Sequence, residues 1–224
     1  MGSTMEQNTS ARAMDASRSL SYLTFATAFA YPDQEGLQAI RAGELAGALR
    51  HLLGSIDPAL LADTDWEALG DAGPDDETLL VEFTRLFEAG PDGPDCPLNG
   101  ARYRGGSMEP LEELVRFYDF FGLTLDQATQ GEPDHLVTEL EFLHFLSFQE
   151  AQLGAAGEDV GGLLRAQRDF IERHPGAWVP ALCQRLAERE APRFFRELAG
   201  LLQRFLRQEQ TRLALQIDEG TTAH

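Results

Sequence analysis

Glu132-x-x-His135 and Glu141-x-x-His144 each place a carboxylate and an imidazole three residues apart within one stretch of chain. On a helix this spacing puts both groups on one face, the arrangement that di-iron bundles use to hold metal. Such bundles take their two motifs from different helices and set further glutamates opposite. Here the pairs begin nine residues apart on one predicted helix, so they face different directions. A structural role, capping or core hydrogen bonding, is the reading for both, and no metal ligand is assigned. Cys96 and His135 would make a thiol–imidazole nucleophile only if the fold joined them, and their spacing does not require it. The chain has no G-x-S-x-G elbow, no Walker-type loop and no G-x-G-x-x-G. Gly105-Gly106 reads as a turn before a helix. No catalytic residue, cofactor or nucleotide site is expected.

Two recognition features stand out instead. The first is Glu132-Pro133-Asp134-His135, at the expected start of the most apolar helix. Two roles fit it. Asp134 satisfies free backbone N–H groups while His135 caps a neighbouring chain, or the pair is a polar anchor on a groove floor, with an imidazole that titrates near physiological pH. The second is Phe83-Thr84-Arg85-Leu86-Phe87 before a Gly/Pro loop. It is a core helix with a flexible exit, or the apolar wall of a groove beside a mobile lip, suited to an extended or helical peptide. Trp178, ahead of Val179-Pro180, reads as a core anchor.

The elements that must position these residues are helices, because apolar residues recur with helical period throughout. The first is predicted from about Asp15 to Ala30, ended by Pro32, with Leu20, Leu23, Ala26 and Ala30 inward. Others follow at Glu35–Leu53, in a short piece within Pro58–Leu69, and at Pro74–Ala89, where Asp75, Asp76 and Glu77 suit the positive end of the helix dipole. The segment Gly90–Gly106 holds five glycines and three prolines and is a loop. Helices resume at Ser107–Phe121, Glu132–Leu153, Asp159–His174, Gly176–Glu190 and Pro192–Leu215. No strand pair with a hairpin turn is found. The expected fold is all-α, a single-domain helical bundle over residues 14–215 around the central buried helix Glu132–Leu153. In that helix Leu136, Leu140, Leu143 and Ser147 share a stripe that Phe142, Phe145, Leu146 and Phe148 widen almost all round. Pro133 fits its first position. Residues 1–13 and 216–224 are polar and aperiodic and are expected to be disordered tails.

Composition narrows the function classes. The 224 residues carry 37 acids against 18 basic residues, a net charge of −19. A nucleic-acid binder would carry a basic patch, so nucleic acid is not an expected partner. High net charge favours solubility, and it also attracts a basic partner. At 43% hydrophobic the chain can supply a core. Its two cysteines, Cys96 and Cys183, form no CxxC pair and suit a reducing compartment. No apolar run approaches the roughly 18 residues of a membrane span, and Leu20–Tyr31, broken by Ser21, Thr24 and Thr27, lacks a signal-peptide context. A cytoplasmic protein with no membrane partner is expected.

Three blocks, in order, carry a resemblance to a known family. They are Glu82-Phe-Thr-Arg-Leu-Phe87 running into Pro91–Leu98; Glu132-Pro-Asp-His-Leu136 continuing as Glu139-Leu-Glu-Phe-Leu143; and Phe170-Ile-Glu-Arg-His174 with Trp178-Val-Pro180, closed by Phe194-Phe-Arg-Glu-Leu-Ala199. Over about residues 16–210 the chain resembles the TorD/DmsD/NarJ family of redox-enzyme maturation chaperones. Cys96-Pro-Leu-Asn-Gly100, Gly105-Gly-Ser-Met108 and Val115-Arg-Phe-Tyr-Asp-Phe-Phe-Gly122 look like the branch serving type II dimethyl-sulfoxide-reductase-like enzymes. The resemblance implies a chaperone and not an enzyme. Its partner would be the catalytic subunit of a molybdoenzyme, held in the cytoplasm while molybdopterin guanine dinucleotide is inserted, together with that subunit's twin-arginine signal peptide. Matched by position, Asp134 and His135 are the implied polar pair, and Phe83, Leu86, Phe87 and Pro97 the implied apolar peptide-binding strip. Leu98 joins the strip where the family leads one to expect tryptophan. A monomer or a domain-swapped dimer is implied, with 90–106 as the hinge. The competing reading is a helical-bundle metal enzyme or hydrolase built on the Glu and His residues of the central helix.

Overall fold

The computed structural model describes residues 2–90, 93–105, 109–123 and 132–222. In chain order it contains α1 (Gly2–Phe29), α2 (Gln34–Arg41), α3 (Glu44–Ile56), α4 (Trp66–Gly70), α5 (Asp76–Phe83), α6 (Glu109–Phe120), α7 (Leu136–Ala156), α8 (Gly161–Arg173), α9 (Pro175–Glu188) and α10 (Arg193–Thr222). Short 3₁₀ turns lie at Pro58–Leu61 and Gly100–Arg102. Among the described residues no strand forms, and an isolated antiparallel bridge pairs Asn99 with His135. The all-α expectation holds. None of the described helices is long and apolar enough to cross a membrane.

Part of the acidic excess sits at helix starts, where free N–H groups and the positive dipole end favour carboxylates. Asp33, Asp65 and Asp75 accept from Gly36, Ala68 and Thr78 N–H at 2.8, 3.0 and 2.7 Å. The single helix expected over Glu35–Leu53 divides at Ala42–Gly43, because Gly43 takes a left-handed φ of 73°. The segments expected as tails carry helical backbone over residues 2–13 and 216–222. Extending an existing helix costs far less than nucleating one, so polar residues can prolong both ends.

Helix α1 packs along α7 and α3. Its buried face is Tyr22, Phe25, Ala26 and Phe29, and the rings of Tyr22 and Phe25 meet Phe205 of α10 at 4.9 and 5.8 Å. Leu20 and Leu23, expected inward, are 47% and 37% exposed. Small hydroxyls take their place against α7: Ser21 is buried with its Oγ bonded to the Ser17 carbonyl at 2.7 Å, and Ser19 Oγ meets His144 Nδ1 at 2.8 Å. Satisfied within or across the helices, they permit close approach without an orphaned polar group.

Helix α7 is central. Leu136, Leu140, Phe142, Leu143 and Leu146 are buried, each worth about 1.5–3 kcal/mol in water-excluded apolar surface. Phe148, expected to widen the buried stripe, is exposed. The helix begins at Leu136, four residues later than expected, because Glu132–His135 are engaged with another segment. That engagement builds the site.

Candidate functional site

The α5 helix ends in a wide turn, with Ala89 N–H bonded to the Thr84 carbonyl at 2.9 Å. Such i→i+5 turns recur at functional positions. The chain then doubles back: the N–H groups of Asp95 and Cys96 donate to the carbonyls of Arg85 and Leu86 at 3.1 and 2.6 Å. Arg85 pairs with Glu82 at 2.6 Å and Asp95 at 2.5 Å, which fixes the exit.

The next residues dock on the start of α7. Leu136 N–H donates to the Leu98 carbonyl at 2.8 Å, and Gly100 N–H to the Asp134 carbonyl at 3.0 Å. Asp134 Oδ2 accepts from Ala101 N–H at 2.8 Å, and Oδ1 lies 3.4 Å from the Asn99 amide. The Asn99 amide also donates to Glu132. Tyr118 Oη donates to the Pro133 carbonyl at 2.7 Å. A side chain at Gly100 would collide with Trp178, whose Nε1 would lie 2.9 Å from the added Cβ. Trp178 is itself held by donating to Glu139 Oε2 at 3.0 Å. Asp134 therefore does not cap its own helix, as one reading had it. It fastens the 99–101 segment to the helix start. Residues 95–101 of the expected hinge are held by these bonds.

His135 caps α7, with Nδ1 accepting from Val137 N–H at 3.3 Å. This leaves the proton of the neutral ring on Nε2. Burial pushes the His135 pKa below its usual 6.5, against the opposite pull of Glu88, Glu132 and Asp134. Burial thus favours the neutral ring.

Around this junction lies an open cleft of about 940 Å³. Phe87, Pro97, Asp134 and His135 line it together, as the strip and polar pair would require. Phe83, Leu86 and Leu98 do not line it: they are 2%, 0% and 1% exposed and sit in the core. Phe87, at 5% exposure, is largely core too, in edge-to-face contact with Phe29, Phe83 and Phe195 at 6.3, 5.0 and 5.2 Å. Sequence reasoning placed Glu132 in the recognition segment without giving it a contact and considered Glu141 only as a metal ligand to reject, and it passed over Glu88, Arg102 and Tyr31, all of which line the cleft. The spacing of residues 138 and 141 along α7, with 134 just ahead of it, was the available signal. Among the described lining residues, four carboxylates (Glu88, Glu132, Asp134, Glu141) face one guanidinium, Arg102.

Cys96 is fully buried, and burial pushes its thiol up to about 11. It stays protonated and poorly nucleophilic. Among the described residues no cluster of three or more His, Cys, Asp or Glu could hold a metal ion. Beneath the cleft, Glu139 is 1% exposed, and burial pushes its carboxyl well above the usual range against the opposite pull of the Trp178 hydrogen bond. His174, 1% exposed against Phe117 and Phe170, is pushed down to about 4 by burial.

Fold and site together define a helical protein with an acidic cleft. A family model described as the nitrate reductase delta subunit matches residues 42–184. The chain is 37% identical to a selenate reductase assembly chaperone of Thauera selenatis over 74% of each chain. It is 38% identical to a chlorate reductase assembly chaperone of Ideonella dechloratans, over 75% of this chain and 76% of the relative. It is 46% identical to a dimethyl sulfide dehydrogenase assembly chaperone of Rhodovulum sulfidophilum over a shorter span, 28% and 26% of the two chains. The chain belongs to the nitrate reductase delta subunit family, the redox-enzyme maturation chaperones that its sequence blocks resemble.

Proposed function

We propose that this protein is a dedicated cytoplasmic assembly chaperone for the catalytic subunit of a type II dimethyl-sulfoxide-reductase-like molybdoenzyme. Its acidic cleft takes a basic, extended segment of that client, the twin-arginine signal peptide. The observation that carries the reading is the convergence of Glu88, Glu132, Asp134 and Glu141 on one cleft whose floor includes Phe87 and Pro97. A carboxylate-lined concavity attracts arginines over the range of the Debye length and orients them on arrival. Glu88, Glu132 and Glu141 are exposed to arriving guanidinium groups, Glu132 while also accepting from the Asn99 amide, whereas Asp134 holds the frame. His135 contributes an Nε2–H donor, and Phe83, Leu86 and Leu98 stiffen the wall from behind. The names of the relatives, assembly chaperones for selenate and chlorate reductases, support the client class. Maturation would then include cofactor insertion into the held client before export.

The test is fluorescence anisotropy with a labelled peptide carrying an arginine pair, beside a glutamine-pair control, at low and high salt. The arginine peptide is expected to bind more tightly, with affinity falling as salt rises. Glu132→Gln with Glu141→Gln should weaken it about threefold to tenfold, since exposed ion pairs contribute about 0.2–1 kcal/mol each. Equal binding of both peptides, or no effect of the double variant, overturns the assignment of the cleft.

A further inference from the structure

Beyond the cleft, on the far side of Tyr31, lies a second and much smaller cavity of about 170 Å³. Its walls include Tyr31, Ile40, Leu45, Leu79, Phe83 and Phe194, from the α1–α2 corner, α3, α5 and α10. The cavity adjoins the cleft, since Ala30 and Tyr31 line both. Tyr31 is 56% exposed and stands edge-on to Phe83, with ring centroids 5.5 Å apart. It is the ridge between an acidic space and an apolar one. Asp33 stands at the cavity edge, but its carboxylate is occupied in capping α2 through Gly36 N–H at 2.8 Å.

We infer that this cavity is a specificity pocket for one bulky apolar side chain, of the size of leucine or phenylalanine, on the same peptide whose basic residues occupy the cleft. This inference rests on the proposed peptide-binding function. Three features carry it. The volume suits one such side chain: a cavity of about 150 Å³ lined by Leu, Ile and Phe holds a benzene molecule. The lining is mostly apolar, with Thr27 and Asp33 both engaged in bonds to backbone of their own segments, so a charged or amide side chain would lose water there for little return. The pocket opens beside the acidic cleft, so an extended chain laid across Tyr31 can present a basic group on one side and an apolar group on the other. A basic residue followed or preceded by a bulky apolar one is then the pattern this protein reads. Phe83, assigned from sequence to the peptide-binding strip, acts here as a pocket wall and not in the cleft.

The test uses labelled Gly/Ser host peptides with an arginine pair and one guest residue (Gly, Leu or Phe) at several spacings on either side of the pair. They are titrated against the full chain and against Ala39→Phe, a change on the pocket wall that fills the cavity and leaves the cleft intact. With the wild type, at the spacing that reaches the pocket, a Leu or Phe guest should bind about tenfold or more tightly than Gly. In Ala39→Phe that preference should fall to within about twofold, while the Gly-guest peptide binds as before. Ala39→Leu, a smaller filling, serves if the Phe variant melts early, and should reduce the preference in part. Arginine dependence without any guest preference overturns the pocket and leaves the cleft standing. A guest preference that survives the filled pocket also overturns it. Failure of every peptide to bind overturns both readings.

Discussion

Asp134→Ala tests most directly how the site is held together. Asp134 is 7% exposed, and its carboxylate accepts from Ala101 N–H at 2.8 Å and lies 3.4 Å from the Asn99 amide. A hydrogen bond to a charged group contributes about 1.5–3 kcal/mol, and truncation also leaves the Ala101 N–H without its acceptor. The backbone bonds from Gly100 N–H to the Asp134 carbonyl and from Leu136 N–H to the Leu98 carbonyl do not need the side chain, so the segment loosens without detaching. The expected loss is about 2–3 kcal/mol, which for a protein of this size lowers Tm by roughly 4–12 °C. Asp134→Asn keeps an acceptor and should cost about half as much. Urea and thermal melts, run beside peptide anisotropy on the folded fraction, separate frame from contact. Asp134→Ala should lose both stability and affinity. Asp134→Asn should regain much of the stability while affinity stays slightly reduced, one of four carboxylates having lost its charge. An unchanged melt for Asp134→Ala with binding abolished would show that the carboxylate touches the client directly, and the fastening role would be wrong.

Three further outcomes follow from the same geometry. Phe87→Ala should cost about 3–5 kcal/mol in urea denaturation, because Phe87 is packed among Phe29, Phe83 and Phe195; a Tm shift of only a degree or two would contradict that placement. The His174 pKa is depressed from 6.5 to about 4 by burial, so below pH 6.5 the unfolded chain takes up a proton that the folded chain refuses. Stability should therefore fall as pH drops from 6.5 toward 4, by roughly 3 kcal/mol at most, and His174→Phe should flatten that fall in urea melts across the interval; an identical slope would refute it. Arg212 pairs with fully buried Glu209 at 2.9 Å and with Glu150 at 2.9 Å, so Arg212→Ala, which strands both carboxylates, should cost about 3–5 kcal/mol as measured by denaturant midpoint, and a loss under about 1 kcal/mol would refute the pairing.

The sequence by itself determined the helical class and most helix positions. Apolar period, Pro32 after α1 and the glycines and prolines of 90–106 are local signals, and helix formation is a local event. It also marked Asp134-His135 and carried the family blocks, because those are runs of neighbouring residues. It could not say which of two plausible stripes on α1 turns inward. That depended on α7 meeting Ser19 and Ser21 rather than Leu20 and Leu23. It could not separate Phe83, Leu86 and Leu98, which the core absorbs, from Pro97, which reaches the cleft, since all five members of the strip are equally apolar in sequence. Nor could it see that Asp134 fastens residue 101, or that Glu88 and Glu141 converge with Glu132. The first joins residues 33 positions apart through backbone pairing of Leu98–Ala101 with Asp134–Leu136, and the second brings Glu88 to the start of a helix that begins at Leu136. Periodicity reports which residues prefer to be buried; only the packed chain decides which surfaces meet, and so which carboxylates share one cleft.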